Sequence, residues 1–338
     1  MSDAIPEMTV GSIFRMGDQF HDSALLHFAV AERLFDDLVD QTSAAELAAR
    51  RGWLPEKSEI VLNALTALGL LRKAGERFQN TLSSDSFLRS TSTEFVGPII
   101  DHQRLQWSLW SMIGQSLVTQ HSTVHQQENR LASDSKANAA FNQAMIRLAK
   151  DNISQLLESG LFAGAGRVLD ICGGHGAYLA EIAKQYPNVT GEVWDLATTR
   201  EVAEQQFRSG ALESRLSFRE IDIRKTDWRT DEQCDLCMLN DCLHYFTYAE
   251  IQVIIKGVVS LLRPGGKLII LTMTLDPTGT APPSAAGFSL HMMLNTRHGK
   301  LHPTDSIVEL LRGAGLQTTA TTIGALARYT MIVGEKNS

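Results

Sequence analysis

Nine residues, Val168-Leu-Asp-Ile-Cys-Gly-Gly-His-Gly176, constrain this chain more than any other stretch. An apolar run that reads as a strand passes into a glycine-rich turn, and the turn opens a helix. Glycine has no Cβ, so such a turn lets the backbone lie close to a ligand. The helix start adds unpaired N–H groups. About one βα unit later, Val193-Trp194-Asp195 ends a second predicted strand in a carboxylate. An acid roughly 20 residues beyond the turn can hold a ribose diol. These elements predict a site for a nucleoside-containing cofactor, and hence an enzyme.

A dinucleotide fingerprint would space its glycines Gly-x-Gly-x-x-Gly around a pyrophosphate. Here the run is Gly173-Gly174-His175-Gly176, followed by Ala177 and Tyr178. Asp170 precedes the turn, where it would repel a pyrophosphate and would suit a cationic amino-acid ligand. Two alternatives stay open at this point: a nicotinamide dinucleotide, or a tight βα turn without a ligand. The motif resembles motif I of class I S-adenosylmethionine (SAM) methyltransferases, whose product is S-adenosylhomocysteine. By that resemblance Asp170, Gly173, Gly174 and Gly176 line the methionine end and Asp195 takes the ribose. Asp222 matches the acidic position near the adenine amino group, and Leu196, Ile223 and Asn240 complete the cofactor site.

A chain of 338 residues can hold two domains, each with its own core. Hydrophobic content of 43% and charged content of 20% are ordinary for a globular protein. A net charge of −7 disfavours a nucleic-acid partner. No apolar run approaches the roughly 18 residues of a membrane span, and Met1-Ser-Asp-Ala-Ile-Pro6 lacks a signal-peptide pattern. Cys234 and Cys237 have Cys-x-x-Cys spacing, but in a predicted strand they should face opposite ways. With only Cys242 nearby, no metal site is expected, and the thiols read as structural ones in a reducing, cytoplasmic compartment.

Residues 1–100 read as mainly helical. Leu25 to Leu38 has apolar residues at helical spacing. Thr42-Ser-Ala-Ala-Glu46 predicts a capping box, with Gly52 ending that helix. Glu59 to Leu71 predicts a third helix, and Leu71 to Phe78 a hairpin turning at Gly75. Three helices and a hairpin make a winged helix, but Glu59 to Leu71 is too apolar to read DNA. The pattern resembles the N-terminal dimerisation domain of the small-molecule O-methyltransferase family, which includes plant caffeate and bacterial phenazine and anthracycline enzymes. Residues 101–160 read as connecting helices, and the resemblance makes Trp107, Trp110 and Met145 substrate-pocket candidates. From Arg167 strands and helices alternate, so residues 161–338 predict an α/β, Rossmann-like domain with a doubly wound parallel sheet. Residues 276–288, rich in Pro, Gly, Ser and Ala, read as a loop.

Methylating a hydroxyl requires alignment and a base that takes its proton. Leu239-Asn-Asp-Cys-Leu-His244-Tyr-Phe matches the family's catalytic His-Asp-Trp, so the resemblance makes His244 the general base. Plant members orient that base with two glutamates; here those positions hold Thr272 and Leu301. Asp241, His291 or His302 could substitute, or the acceptor needs no strong base. The second option points to sulfur, because a thioether has no proton to lose. It is similar in logic to the methylthiohydroxybutyrate S-methyltransferase of dimethylsulfoniopropionate synthesis, whose acidic substrate would need an anchor such as Arg104 or Arg297. His291 is a further pocket candidate. The expectation is a homodimeric SAM-dependent methyltransferase acting on a small molecule, on oxygen first and on sulfur as the alternative. A SAM-binding fold that has lost methylation and a DNA-binding regulator are the readings from other classes.

Overall fold

Caps and helix breakers set the boundaries in the N-terminal part of the chain. The computed structural model describes residues 7–118, 135–228, 233–296, 298–323 and 329–337. It divides the chain into two units, Met1–Trp107 and Ser108–Ser338.

The first unit contains α1 (Val10–Ala31), α2 (Leu34–Asp37), β1 (Thr42–Ser43), α3 (Ala44–Arg51), α4 (Pro55–Ala67), β2 (Leu71–Ala74), β3 (Arg77–Asn80) and α5 (Leu82–Phe87). It ends within α6 (Gly97–Trp110). The predicted capping box is present: Glu46 N–H donates to Ser43 Oγ, and Ser43 N–H donates to the Glu46 carboxylate at 2.8 Å. Gly52 closes α3 in the left-handed region. The single helix expected over Leu25 to Leu38 is broken, because Arg33 takes a left-handed φ of 52°. The helix expected from Glu59 starts earlier, since Pro55 suits a first turn. Gly69, with φ 76°, follows its end. The strands order β1-β3-β2, all antiparallel, over a core of Leu34, Phe35, Leu38, Leu47, Leu62, Leu65 and Phe78. Val10, Ile13, Phe14 and Phe20 of α1 stay exposed.

The second unit adds α7 (Ile113–Ser116) and the long α8 (Ser135–Glu158), then the alternating part. In order come β4 (Arg167–Ile171), α9 (Ala177–Gln185), β5 (Thr190–Asp195), α10 (Arg200–Ser209), β6 (Leu216–Glu220), β7 (Cys234–Asn240), α11 (Tyr248–Leu261) and β8 (Leu262–Thr272). These are followed by α12 (Pro283–Asn295), α13 (Thr304–Gly313), β9 (Leu316–Ile323) and β10 (Tyr329–Lys336). The sheet order is β6-β5-β4-β7-β8-β10-β9. Residues of β4 alternate between two cores: Leu169 and Ile171 join Ile254 and Ile255 of α11 and Leu311 of α13, while Val168 joins Leu156 of α8, Leu179 of α9 and Phe207 of α10. Helices on both faces make the domain doubly wound.

Three expectations need correction. The sheet is mostly but not wholly parallel, because β10 runs antiparallel to both β8 and β9; β9, rich in threonine, was not anticipated. The compositional loop over 276–288 gives way at Pro283, which opens α12. Cys234 and Cys237 do not face apart. The β7–β8 register shifts between Cys234 and Leu236, and the two buried thiols approach to 3.2 Å. They are free cysteines, and among the described residues no cluster could hold a metal ion. No described helix is long and apolar enough to cross a membrane.

Candidate active site

Parallel strands β4 to β8 end along one edge of the sheet, so the loops that follow them meet there. Asp170, the penultimate residue of β4, is fully buried and neither of its carboxyl oxygens has a hydrogen-bond partner. Burial, reinforced by Asp195, pushes its pKa up to about 8. A Cβ on Gly173 would meet the Asp170 carboxyl group at 2.5 Å, so only glycine fits there. Cys172, Gly174 and Gly176 take left-handed φ values of 58°, 49° and 69°, which fold the turn back on itself. His175 is buried within it; its Nδ1 accepts from Ala177 N–H at 3.1 Å, and burial lowers its pKa to about 4.

Asp195 lies across this turn. Its Oδ2 accepts from Gly174 N–H at 2.8 Å and its Oδ1 from Leu196 N–H at 2.6 Å. Burial raises its pKa, and those two bonds oppose the rise. Leu196 is 48% exposed. Ile221 N–H donates to Asp195 O at 2.9 Å, bringing the segment after β6 alongside. There Asp222 pairs with Lys225 at 2.9 Å and accepts from Arg224 N–H. Burial works to raise its pKa, but these contacts outweigh it and hold the pKa low. Ile223 and Asn240 are buried at the same edge, and Asn240 Oδ1 has no partner. The cofactor candidates therefore converge on one rim.

His244 follows β7 in a short 3-10 turn, Leu243–Tyr245. It is buried, its Nδ1 has no partner, and burial with His291 and His302 nearby lowers its pKa to about 3. Phe288 of α12 meets its ring edge-on at 5.4 Å. Phe288 stacks on His291 at 5.6 Å, and His291 lies 6.4 Å from Trp110. These rings form an aromatic wall, and no motif in the sequence marks Phe288 or the neighbouring Asn295. Asn295 Nδ2 sits 3.3 Å from both His291 ring nitrogens, while its buried Oδ1 has no partner.

Thr272 and Leu301 are both buried. Thr272 donates to Met273 O, and Leu301 packs with Leu275 and Ala285. His302 Nε2 engages Phe246 O at 3.1 Å, and Asp241 faces Tyr178. The two side chains thus each have a partner other than the His244 ring. Met145 is partly buried on α8. Arg104 and Trp107 belong to the first unit, where Arg104 pairs with Asp101 and Trp107 packs edge-on against His27. Arg297 lies outside the described residues.

The rim offers an acid awaiting a cation, a glycine cradle and a second acid suited to a diol. That set fits a nucleoside bearing an amino-acid end better than a pyrophosphate. Residues 119–317 match the O-methyltransferase domain, and residues 14–90 match the O-methyltransferase dimerisation domain. The chain belongs to the O-methyltransferase family. An O-methyltransferase family protein from Burkholderia thailandensis is 42% identical, with a TM-score of 0.92 over 98% of this chain and 99% of that one. The 3-hydroxy-5-methyl-1-naphthoate 3-O-methyltransferase of Streptomyces sahachiroi is 25% identical over 87% of this chain and 85% of its own length. Human N-acetylserotonin methyltransferase, solved in complex with SAM, shares the fold with a TM-score of 0.84 at 20% identity, each chain covered in full.

Proposed function

We propose that this family member is a homodimeric, SAM-dependent methyltransferase that acts on a hydroxyl group of a small aromatic molecule. The observation that carries the reading is Asp170: a buried carboxyl with two unsatisfied oxygens behind a glycine turn. A buried unpartnered polar group is costly unless a ligand satisfies it. Asp170 would take the ammonium of the amino-acid end and Asp195 the ribose, with Gly173, Gly174 and Gly176 allowing close approach. Asp222, Leu196, Ile223 and Asn240 would border the adenosine. When bound, the cofactor supplies an electrophilic methyl group on a sulfonium.

His244 would accept the proton of the acceptor hydroxyl, and Phe288, His291 and Trp110 would hold its ring. Burial keeps the imidazole neutral, which is the form a base needs. Met145 is a further candidate for the pocket. The division of labour follows the notional boundaries 1–100 for dimerisation, 101–160 for connection and 161–338 for catalysis.

Thr272 and Leu301 favour a second reading. With no carboxylate at either position, His244 lacks the acid that fixes tautomer and orientation in histidine bases. An acceptor without a proton to lose, such as a thioether, would not need one. An S-adenosylhomocysteine release assay over phenols, hydroxy acids, thiols and thioethers, including methylthiohydroxybutyrate, separates the two. Turnover on phenols supports oxygen, turnover on thioethers alone supports sulfur, and none on either class would refute both.

A further inference from the structure

The turn that carries His244 is too short to hold itself. Its internal bonds run from Tyr245 N–H to Cys242 O at 3.0 Å and from Phe246 N–H to Leu243 O at 3.2 Å. The next three carbonyls are satisfied from other parts of the chain. His244 O accepts from Lys300 N–H at 3.1 Å, and Phe246 O accepts from His302 Nε2 at 3.1 Å. Both donors lie between α12 and α13. Tyr245 O accepts from Arg224 Nη2 at 3.4 Å.

Arg224 comes from a different segment, the one after β6 that bears Asp222 and Ile223. Its backbone N–H donates to Asp222 Oδ1 at 3.1 Å. Its guanidinium carbon lies 4.7 Å from the centre of the Phe246 ring, and its Nε lies 3.7 Å from Glu250 Oε1. Glu250 in turn closes the capping box of α11, where its Oε2 accepts from Thr247 N–H at 2.7 Å. One side chain thus holds a carbonyl, a ring and a helix cap within six residues of His244. A half-exposed ion pair alone contributes little. A planar guanidinium that also stacks and donates is pre-organised for all three contacts. The His244 ring gains no comparable anchor through its own Nδ1, which has no partner.

Resting on the reading of His244 as the base, we propose that Arg224 is a positioning residue that fixes the His244 turn against the cofactor rim. The base is then aligned through its backbone, and the acid that borders the adenosine and the clamp on the base sit two residues apart on one segment.

Hydrogen exchange of the full-length protein tests the clamp without turnover. Arg224→Ala should speed exchange at Tyr245 and Phe246 by roughly three- to thirty-fold, the effect of losing one ion pair and one stacked cation. Gly174 N–H should exchange as in the wild type, and calorimetry should show unchanged affinity for S-adenosylhomocysteine. Kinetics on two acceptors then separate alignment of a base from general damage. A nitrophenol, ionised at the assay pH, has no proton to lose, whereas a cresol has. Arg224→Ala should lower kcat on the cresol by about ten- to a hundred-fold, the scale of a small misplacement, and leave the nitrophenol like the wild type. Arg224→Lys, which keeps the charge but not the planar fork, should fall between. Unchanged exchange at the turn, equal losses on both acceptors, or a matching loss of cofactor affinity would each overturn the proposal. If His244→Ala itself loses equally on both acceptors, or the wild type turns over neither, the base reading fails instead, and the exchange result still judges the clamp.

Discussion

Gly174 donates its backbone N–H to the Asp195 carboxylate across 2.8 Å, so the acid that ends β5 also fixes the turn that follows β4. One side chain thereby ties the turn after β4 to the segment after β5.

Asp195→Ala should therefore weaken SAM binding by about ten- to a hundred-fold, from the loss of charged hydrogen bonds. Titration calorimetry measures this directly. Unchanged affinity would remove Asp195 from the ribose site.

Asp170 should trade stability for binding. Its folded-state pKa of about 8 lies above the ordinary value of 3.8. Between those values the unfolded chain ionises while the folded one stays protonated, so stability falls as pH rises towards 8 and then levels. Asp170→Asn, which cannot ionise, should escape this loss and be more stable than the wild type at pH 8. The same variant should lose most of its affinity for SAM. Thermal unfolding at pH 5 and pH 8 would show a gain confined to the higher pH; a loss at both would contradict this account.

His244→Ala should lower kcat on a hydroxyl acceptor by roughly 10²- to 10⁴-fold, the usual contribution of a general base. Burial has moved the His244 pKa down to about 3. The wild-type rate should accordingly show no His244-dependent acid limb near pH 6.5. A limb there that vanishes in His244→Ala would show the histidine to be far more solvated than the fold implies.

The exposed stripe on α1 predicts the assembly. Val10, Phe14 and Phe20 are 68%, 68% and 52% exposed, an apolar surface that a dimerisation domain would cover. Phe14→Glu should shift the protein from dimer to monomer in light scattering at micromolar concentration. A dimer of unchanged stability would place the interface elsewhere.

Much of the cofactor rim was legible because its chemistry is local. Asp170, the glycines and Asp195 lie within one βα unit, and spacing alone brings them together. The aromatic wall was less legible: Phe288 reaches His244 through packing of α12, whose first turns, Pro283 to Phe288, sequence composition presented as loop. The cysteine pair misled because alternation along a strand assumes an unbroken register, and β7 and β8 slip. β10 misled in another way, since its apolar run is compatible with either strand direction.

The placement of β10 carries a consequence for biosynthesis. β8 and β9 are both made before Tyr329–Lys336, yet that segment lies between them. Until it emerges from the ribosome, β8 has one edge open and β9 has no strand beside it. An open edge of this kind readily recruits other chains. A nascent protein stalled before Tyr329 would be a better substrate for chaperones and for aggregation than one stalled before Arg167, where no part of this sheet yet exists.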